Sequence, residues 1–382
     1  MAWYHQWASF AKRLAHVVAK PMKRDSGRSG MMVHPYRGYG SQREIFVMGR
    51  VFRQAALGRA IPRRGMLRDA ADVARRVFRR GLANAKVDIR VGGNELCLTT
   101  DRDGYFDAHL PISTPLPVDV SWHRADILVH AEGHPPIRTS VEVYVPPPEA
   151  DLLVISDIDD TVIETGITGN LGAIARNWRR VLMQMPDQRL LVPQADVFYT
   201  ALGGGAVLED GEGAAGERLP ATHHPFFYVS SSPWNLFSYL VTYIRGRGLP
   251  LGPIALRDWG LNRATFGSAS HGAHKRTAIE GILATYPEMK FALIGDDSQG
   301  DLTAFAKVVA DHPGRIRAVF IRRAGDPFRP EEREAKATIE SADVPLWLGD
   351  DYETGHEFLR SIGLASDGEA EEIVRMVDRT GQ

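Results

Sequence analysis

The chain has 382 residues, 44% of them apolar, and a formal net charge of −1, which is enough to bury a large core and to form about two domains. Its single cysteine, Cys97, excludes an internal disulfide framework and fits a reducing compartment, the cytoplasm. No run approaches the ~20 apolar residues of a spanning helix, and no apolar core followed by a small-residue cleavage site opens the chain, so neither a membrane span nor a signal peptide is expected.

The near-neutral total hides an asymmetry. Residues 1–80 carry 18 Lys and Arg against 4 Asp and Glu, a net of +14, which leaves the remainder at about −15. Such a basic end fits either an anionic surface as partner or a solvated tail. Within it, residues 1–30 form a basic segment with an amphipathic helix expected over 3–20. Trp3, Trp7, Phe10, Leu14, Val17 and Val18 fall within about a 100° arc, with Lys12, His16, Lys20 and Lys23 opposite. That pattern suits a helix lying in a membrane interface, a helix docked on its own domain, or a mitochondrial presequence.

Residues 31–148 read as a β-rich domain. Strands are expected at IFVMGRVF, KVDIRV, ELCLTT, YFDAHL, VDVSWH, ILVHA and TSVEVYV, separated by turns such as Gly92-Gly93-Asn94, which together predict a small sandwich. A basic segment near residues 63–82, with helical character, interrupts it. Cys97 lies in ELCLTT and reads as a core residue. Pro146, Pro147 and Pro148 form a stiff linker and mark the domain boundary.

Beyond residue 148 the pattern changes. Apolar strands (LLVISD, FFYVSS, IALRDW, FALIGD, IRAVFI) alternate with helical stretches such as 272–285 and 301–311. That alternation predicts an α/β domain over 149–350, a Rossmann-like parallel sheet with helices on both faces, followed by a C-terminal helical segment at 351–382. Residues 203–222 are Gly-rich and acidic and read as a loop.

Chemistry concentrates at the ends of these strands, where ligands bind in open α/β sheets. LLVISDIDDT delivers Asp157 and Asp159 on one face, since side chains two apart on an extended backbone point the same way. Like charges that close are costly unless a metal or a shared proton relieves them. FFYVSSS ends in Ser230, Ser231 and Ser232, LIGDDSQGD carries Asp296, Asp297 and Asp301, and His274-Lys275 opens a helix between them. Taken singly, a serine cluster is usually a helix N-cap and a Gly-Asp strand end a turn. Together they supply carboxylates, a hydroxyl, a cation and helix N-termini, the inventory for phosphoryl transfer.

The order and spacing resemble the haloacid dehalogenase-like phosphatases. DxDx(T/V) appears as Asp157-Ile158-Asp159-Asp160-Thr161, the strand-end Ser as Ser230, the Lys as Lys275, and GDxxxxD as Gly295-Asp296 to Asp301. A closer resemblance joins HPYRGYG (34–40), SDIDDTVIETG (156–166), FFYVSSSPWNL (226–236), GPIALRDWG (252–260), LIGDDSQGD (293–301) and IRAVFIR (316–322) to the actin-patch-type phosphatidate phosphatases, with a more distant similarity to lipins. It covers about residues 33–350.

The resemblance implies a role for each residue. Asp157 is the nucleophile that forms an aspartyl-phosphate, and Asp159 protonates the leaving alkoxide and then activates water. Mg²⁺ is held by Asp157, the Asp159 carbonyl and Asp296, with Asp301 positioning that metal set. Ser230 and Lys275 bind the transferring phosphoryl oxygens, Ser231 and Trp234 join the substrate site, and Thr161 orients the first motif. The family's last motif more often reads GDSGQxD; here Asp297 stands in place of that Ser, which leaves it a rival ligand to Asp296.

The insertion at about 166–225 is then a cap. Leu171, Ile174, Trp178, Val181, Leu182 and Met185 make an apolar stripe beside Arg176, Arg179 and Arg180. This fits a lipid-facing lid or ordinary packing on the sheet. Trp234 and Trp259 fit an acyl-chain entrance or a structural role equally well. The implied activity is Mg²⁺-dependent hydrolysis of phosphatidate or a related lipid phosphate at an anionic membrane surface, by a cytoplasmic protein with peripheral membrane association. The alternatives are a soluble phosphomonoesterase with the same chemistry and a non-catalytic anionic-lipid-binding protein. Nucleic acid is not expected as a partner, because the basic end lacks aromatic interleaving along a groove.

Overall fold

The computed structural model describes residues 30–53, 81–158, 194–204, 206–207, 221–233, 237–246, 248–257, 271–297, 300–323 and 327–365. The expected helix at 3–20, the basic segment up to residue 80, the Arg-rich stripe at 171–185 and Trp259 lie outside them. The chain divides into two compact units, one comprising residues 1–145 with 235–242, the other residues 146–234 with 243–382.

The first unit is built from β1 (Met31–Pro35), β2 (Gly38–Gly40), β3 (Glu44–Arg53), β4 (Lys86–Val91), β5 (Asn94–Thr99), β6 (Tyr105–Pro111), β7 (Trp122–Ala131) and β8 (His134–Tyr144). The expected sandwich takes the form of one hydrogen-bonded sheet of mixed direction, in the order β1-β3-β2-β8-β7-β4-β5 with β6 on β3. The β2–β8 pair is parallel and the others are antiparallel. Strict alternation puts Ile45, Val47, Val87, Ile89, Ile127 and Val129 into a single apolar core. That core is drawn from strands and their connections, so the sheet's own strands cover its apolar face. Two expectations change. VDVSWH and ILVHA, read as two strands, merge into β7, and Val118 lies outside it, 57% exposed. Cys97 is exposed, because its β5 position points away from the core and its thiol bonds Asp88 across the ladder.

The second unit holds a six-stranded parallel sheet. Its strands are β9 (Leu152–Asp157), β12 (Phe226–Pro233), β13 (Ile254–Arg257), β14 (Lys290–Asp296), β15 (Ile316–Arg322) and β16 (Leu346–Gly349), in the order β13-β12-β9-β14-β15-β16. Every residue of β9 is buried, as a central parallel strand requires. Among the described residues the helices are α1 (Ala195–Gly203), α2 (Phe237–Gly246), whose residues up to 242 count with the first unit, α3 (His271–Thr285), α4 (Asp301–Asp311), α5 (Pro330–Ser341) and α6 (Tyr352–Ser361). A small hairpin, β10 (Ala206–Val207) with β11 (Ala221–Thr222), falls within the stretch read as a loop.

Within the described part of the 166–225 insertion, one face of α1 packs into the core. Phe198 and Tyr199 of α1 are fully buried, Phe198 against Phe320, Trp347 and Tyr352. The sheet also runs past the last expected strand. β16 pairs with β15, and α6 buries Tyr352 and Leu359, so the region around residue 350 is continuous with the parallel-sheet unit.

Candidate active site

Parallel strands bring all their carboxyl ends to one edge of the sheet. β9 lies between β12 and β14, and the ladders put Asp157 level with Val229, and Ser156 level with Ile294. Asp157, Ser230 and Asp296 therefore emerge on adjacent strands within one or two residues of the same level. Asp301 returns to that edge as the first residue of α4, and Lys275 reaches it from α3. All five are shielded from solvent: Asp157 is 2% exposed, Ser230 0%, Lys275 1%, Asp296 3% and Asp301 0%.

Lys275 holds the cluster together. Its Nζ lies 2.9 Å from Asp157 Oδ1 and 2.5 Å from Asp301 Oδ1. Burial alone lowers a lysine pKa, but the carboxylates of Asp157, Asp301 and Asp296 outweigh it and hold Lys275 well above the ordinary lysine range. It is thus a permanent cation. Asp301 is committed at both oxygens, Oδ1 to Lys275 and Oδ2 to the Asp296 N–H at 3.1 Å. The glycine of the Gly295-Asp296 pair has a steric reason. A Cβ there would come within 2.5 Å of Asp301 Oδ2 and 2.7 Å of Asp301 Cβ, so only glycine lets the returning carboxylate sit against the strand.

The charge balance tests the fit of a cation. Asp157, Asp296 and Asp301 each present a carboxylate oxygen within 4.8 Å of the others. At that widest spacing each pair repels by about 3 kcal/mol at an effective dielectric near 20. Lys275 offsets one of the three charges. A buried, acid-rich, all-oxygen donor set fits a hard divalent cation, the chemistry of Mg²⁺. With Asp301 engaged at both oxygens, Asp157 and Asp296 are the carboxylates best placed to hold it.

Asp297 takes a different direction. It is half-buried, its N–H bonds the Arg322 carbonyl at 3.1 Å, and its carboxylate pairs with Arg323 at 3.4 Å, outside the acid cluster. Arg323 in turn lies 3.7 Å over the Phe328 ring. The rival to Asp296 thus has a charge partner of its own, 26 residues away in sequence, which the motif could not reveal. Lys275 was expected as a phosphoryl ligand, and its ion pairs to Asp157 and Asp301 were not foreseen, since nothing local in a helix-opening His-Lys marks them. Asp159, Thr161 and Trp234 lie outside the described residues, and Ser231 is placed on β12 by its backbone alone.

A carboxylate cluster with a buried ammonium at the carboxyl edge of a Rossmann-like parallel sheet defines a class of α/β protein whose site could hold a metal ion. The comparisons narrow that class. Residues 152–323 match the family described as phosphatidate phosphatase APP1, catalytic domain. Among known proteins it is 32% identical over 193 residues to phosphatidate phosphatase APP1 of Saccharomyces cerevisiae. It is 28% identical over 177 residues to an uncharacterized protein of Schizosaccharomyces pombe. These matches cover 50% and 46% of this chain but only 29% and 26% of the two relatives. A carbohydrate acetylesterase structure from Xanthomonas citri aligns over 82% of this chain and 66% of its own, with 14% identity and a TM-score of 0.26, too low to bear on the fold.

Proposed function

We propose that the protein is a Mg²⁺-dependent phosphatase that hydrolyses phosphatidate, or a related lipid phosphate, to diacylglycerol and phosphate. The observation that carries this reading is the buried Asp157–Asp296–Asp301 cluster with Lys275, inside the segment that matches the phosphatidate phosphatase catalytic domain. Asp157 attacks phosphorus, the bond to the leaving alkoxide breaks, and Asp159 gives that oxygen its proton. Asp159 then takes a proton from water as the water attacks the aspartyl-phosphate, which frees Asp157 and releases phosphate. Mg²⁺, when bound by Asp157, Asp296 and the Asp159 carbonyl, neutralises charge so that a phosphate dianion can approach.

Lys275 pairs with the Asp157 carboxylate and aims it, and with Ser230 it offers donors to the transferring oxygens. Asp301 holds Lys275 and the Asp296 peptide in place. Thr161 orients the first motif, and Ser231 and Trp234 extend the site toward substrate. The lipid assignment draws on the name of the yeast relative and on the net +14 of residues 1–80, which suits an anionic membrane surface. Residues 1–30 are the proposed membrane contact and the insertion at about 166–225 the proposed cap.

The test is phosphate release from phosphatidate in mixed micelles and from a panel of soluble phosphates, with Mg²⁺ or with chelator, for wild type and Asp157→Asn. Phosphatidate turnover that needs Mg²⁺ and vanishes in the variant is the expected result. Activity surviving in Asp157→Asn sinks the nucleophile, and soluble esters outrunning phosphatidate sink the lipid substrate. Liposome flotation with and without residues 1–30 tests the membrane contact, and equal binding would remove it.

A further inference from the structure

Directly behind the acid cluster the core contains three hydroxyls where apolar side chains would pack at less cost. Ser156, Tyr199 and Tyr352 are all 0% exposed, set among Phe198, Phe226 and Trp347. A buried hydroxyl without a partner costs on the order of 1–3 kcal/mol, so three together need a reason. They satisfy one another and end on the residue that matters. Ser156 Oγ lies 2.7 Å from the Asp157 carbonyl oxygen and 2.7 Å from the Tyr199 hydroxyl, which bonds that of Tyr352. Serine has one proton. Given to the Asp157 carbonyl, it leaves Oγ to accept from Tyr199, so the donors run from Tyr352 through Tyr199 and Ser156 to Asp157.

The sheet explains why the Asp157 carbonyl needs this donor. The β9–β14 ladder ends at the pair Ile294–Ser156. In a parallel ladder the next amide along β14 to reach β9 is that of Asp296, but that N–H is donated to Asp301 Oδ2. The strand pairing is thus given up at Asp157 on the β14 side so that Asp296 and Asp301 can be locked together. On the β12 side the chain stays tied, with the Ile158 N–H donated to the Val229 carbonyl at 3.3 Å. Ser156 replaces the missing ladder bond from the opposite face of β9, and Tyr199 of α1 fixes the serine rotamer.

We propose that Ser156 and Tyr199 are positioning residues for Asp157. They hold its peptide plane at the point where the ladder stops, so that the carboxylate keeps the aim needed for metal binding and for attack. The attack half of this statement rests on the proposed phosphatase reaction; the metal half does not. The ladder register and the two 2.7 Å contacts carry it.

The experiment compares full-length wild type, Ser156→Ala, Tyr199→Phe, their double variant, and Tyr228→Phe. Tyr228 supplies the control, since its hydroxyl is equally buried in the same core but donates to the Pro250 carbonyl at 2.8 Å, away from the acids. Measured are kcat and KM on phosphatidate, Mg²⁺ affinity by calorimetric titration, and Tm. Tyr199→Phe and Ser156→Ala are expected to lower kcat and Mg²⁺ affinity each about tenfold with KM nearly unchanged. The double variant falls no further than the worse single one, because the two act in series. Tyr228→Phe loses Tm but keeps kcat and Mg²⁺ affinity. If Tyr199→Phe and Tyr228→Phe match in Mg²⁺ affinity and kcat at comparable loss of Tm, the network is merely structural and the proposal fails. A wild type that binds Mg²⁺ but does not turn over phosphatidate refutes the substrate reading alone, and the Mg²⁺ titrations still decide this one. A wild type that does neither overturns both.

Discussion

Replacing Lys275 by Met tests the charge balance of the site at its centre. The side chain is 1% exposed and makes two ion pairs, at 2.9 Å to Asp157 and 2.5 Å to Asp301. Methionine fills similar volume but takes the Lys275 cation away from three buried carboxylates. Removing one partner of a buried pair costs about 3–5 kcal/mol, mostly from the charge left behind. For a unit of this size each kcal/mol moves Tm by about 2–4 °C, so a fall of about 6–20 °C is expected in chelator. Millimolar Mg²⁺ should recover part of it, because a dication takes over the balancing role. Adding Asp301→Asn to the same chain should also recover part, by removing one orphaned carboxylate. The pH dependence has a definite sign. The folded pKa of Lys275 lies above its unfolded value, so its contribution is complete below the unfolded lysine pKa of about 10.4 and fades only above it. The loss caused by Lys275→Met should therefore be constant from pH 6 to 9. Thermal unfolding of the three proteins in chelator and in Mg²⁺ measures all of this. A cost under about 1 kcal/mol, the range of an exposed pair, would refute the argument.

Further outcomes follow from neighbouring contacts. Gly295→Ala drives a methyl group into Asp301 and should weaken Mg²⁺ binding at least tenfold by calorimetric titration; unchanged affinity would mean that Asp301 does not need to lie against the strand. Asp297→Ser should leave Mg²⁺ affinity within about twofold, while Asp296→Ala should abolish measurable binding, and the reverse order would make Asp297 the ligand. Glu332 carries a capping box with Arg329, whose bonds outweigh burial and hold its carboxyl below the usual range. Its contribution is present above the unfolded glutamate pKa and is lost as pH falls through the lower folded value. Glu332→Gln should therefore destabilise by about 1 kcal/mol at pH 7, with the difference shrinking below pH 4 in urea titrations.

The local patterns in the sequence were strong where one physical requirement acts over a few residues. LLVISD is apolar on both faces because a central parallel strand is buried on both, and it is β9 as read. Asp301 begins α4 and Lys290–Asp296 forms β14, so the last motif was legible in register as well as type. Weaker patterns misled. VDVSWH alternates well but Val118 lies in a bend, and only the register of β7 on β8 decides where that strand begins. Cys97 reads as apolar core by type, yet its place in the β5 alternation turns it outward.

The sequence by itself determined which chemistry is available. Strand ends must carry polar residues somewhere, but two acids and a serine at such ends, with a lysine and a further acid near the starts of helices, specify a small set of reactions. Tertiary structure alone decided how those groups share charge. Lys275 meets Asp157 and Asp301 across 118 and 26 residues of chain, Asp297 is drawn off by Arg323, and Ser156 meets Tyr199 across 43. Such pairings depend on strand order and helix docking, which no local periodicity encodes, because a carboxylate finds its partner through the whole core rather than along the chain.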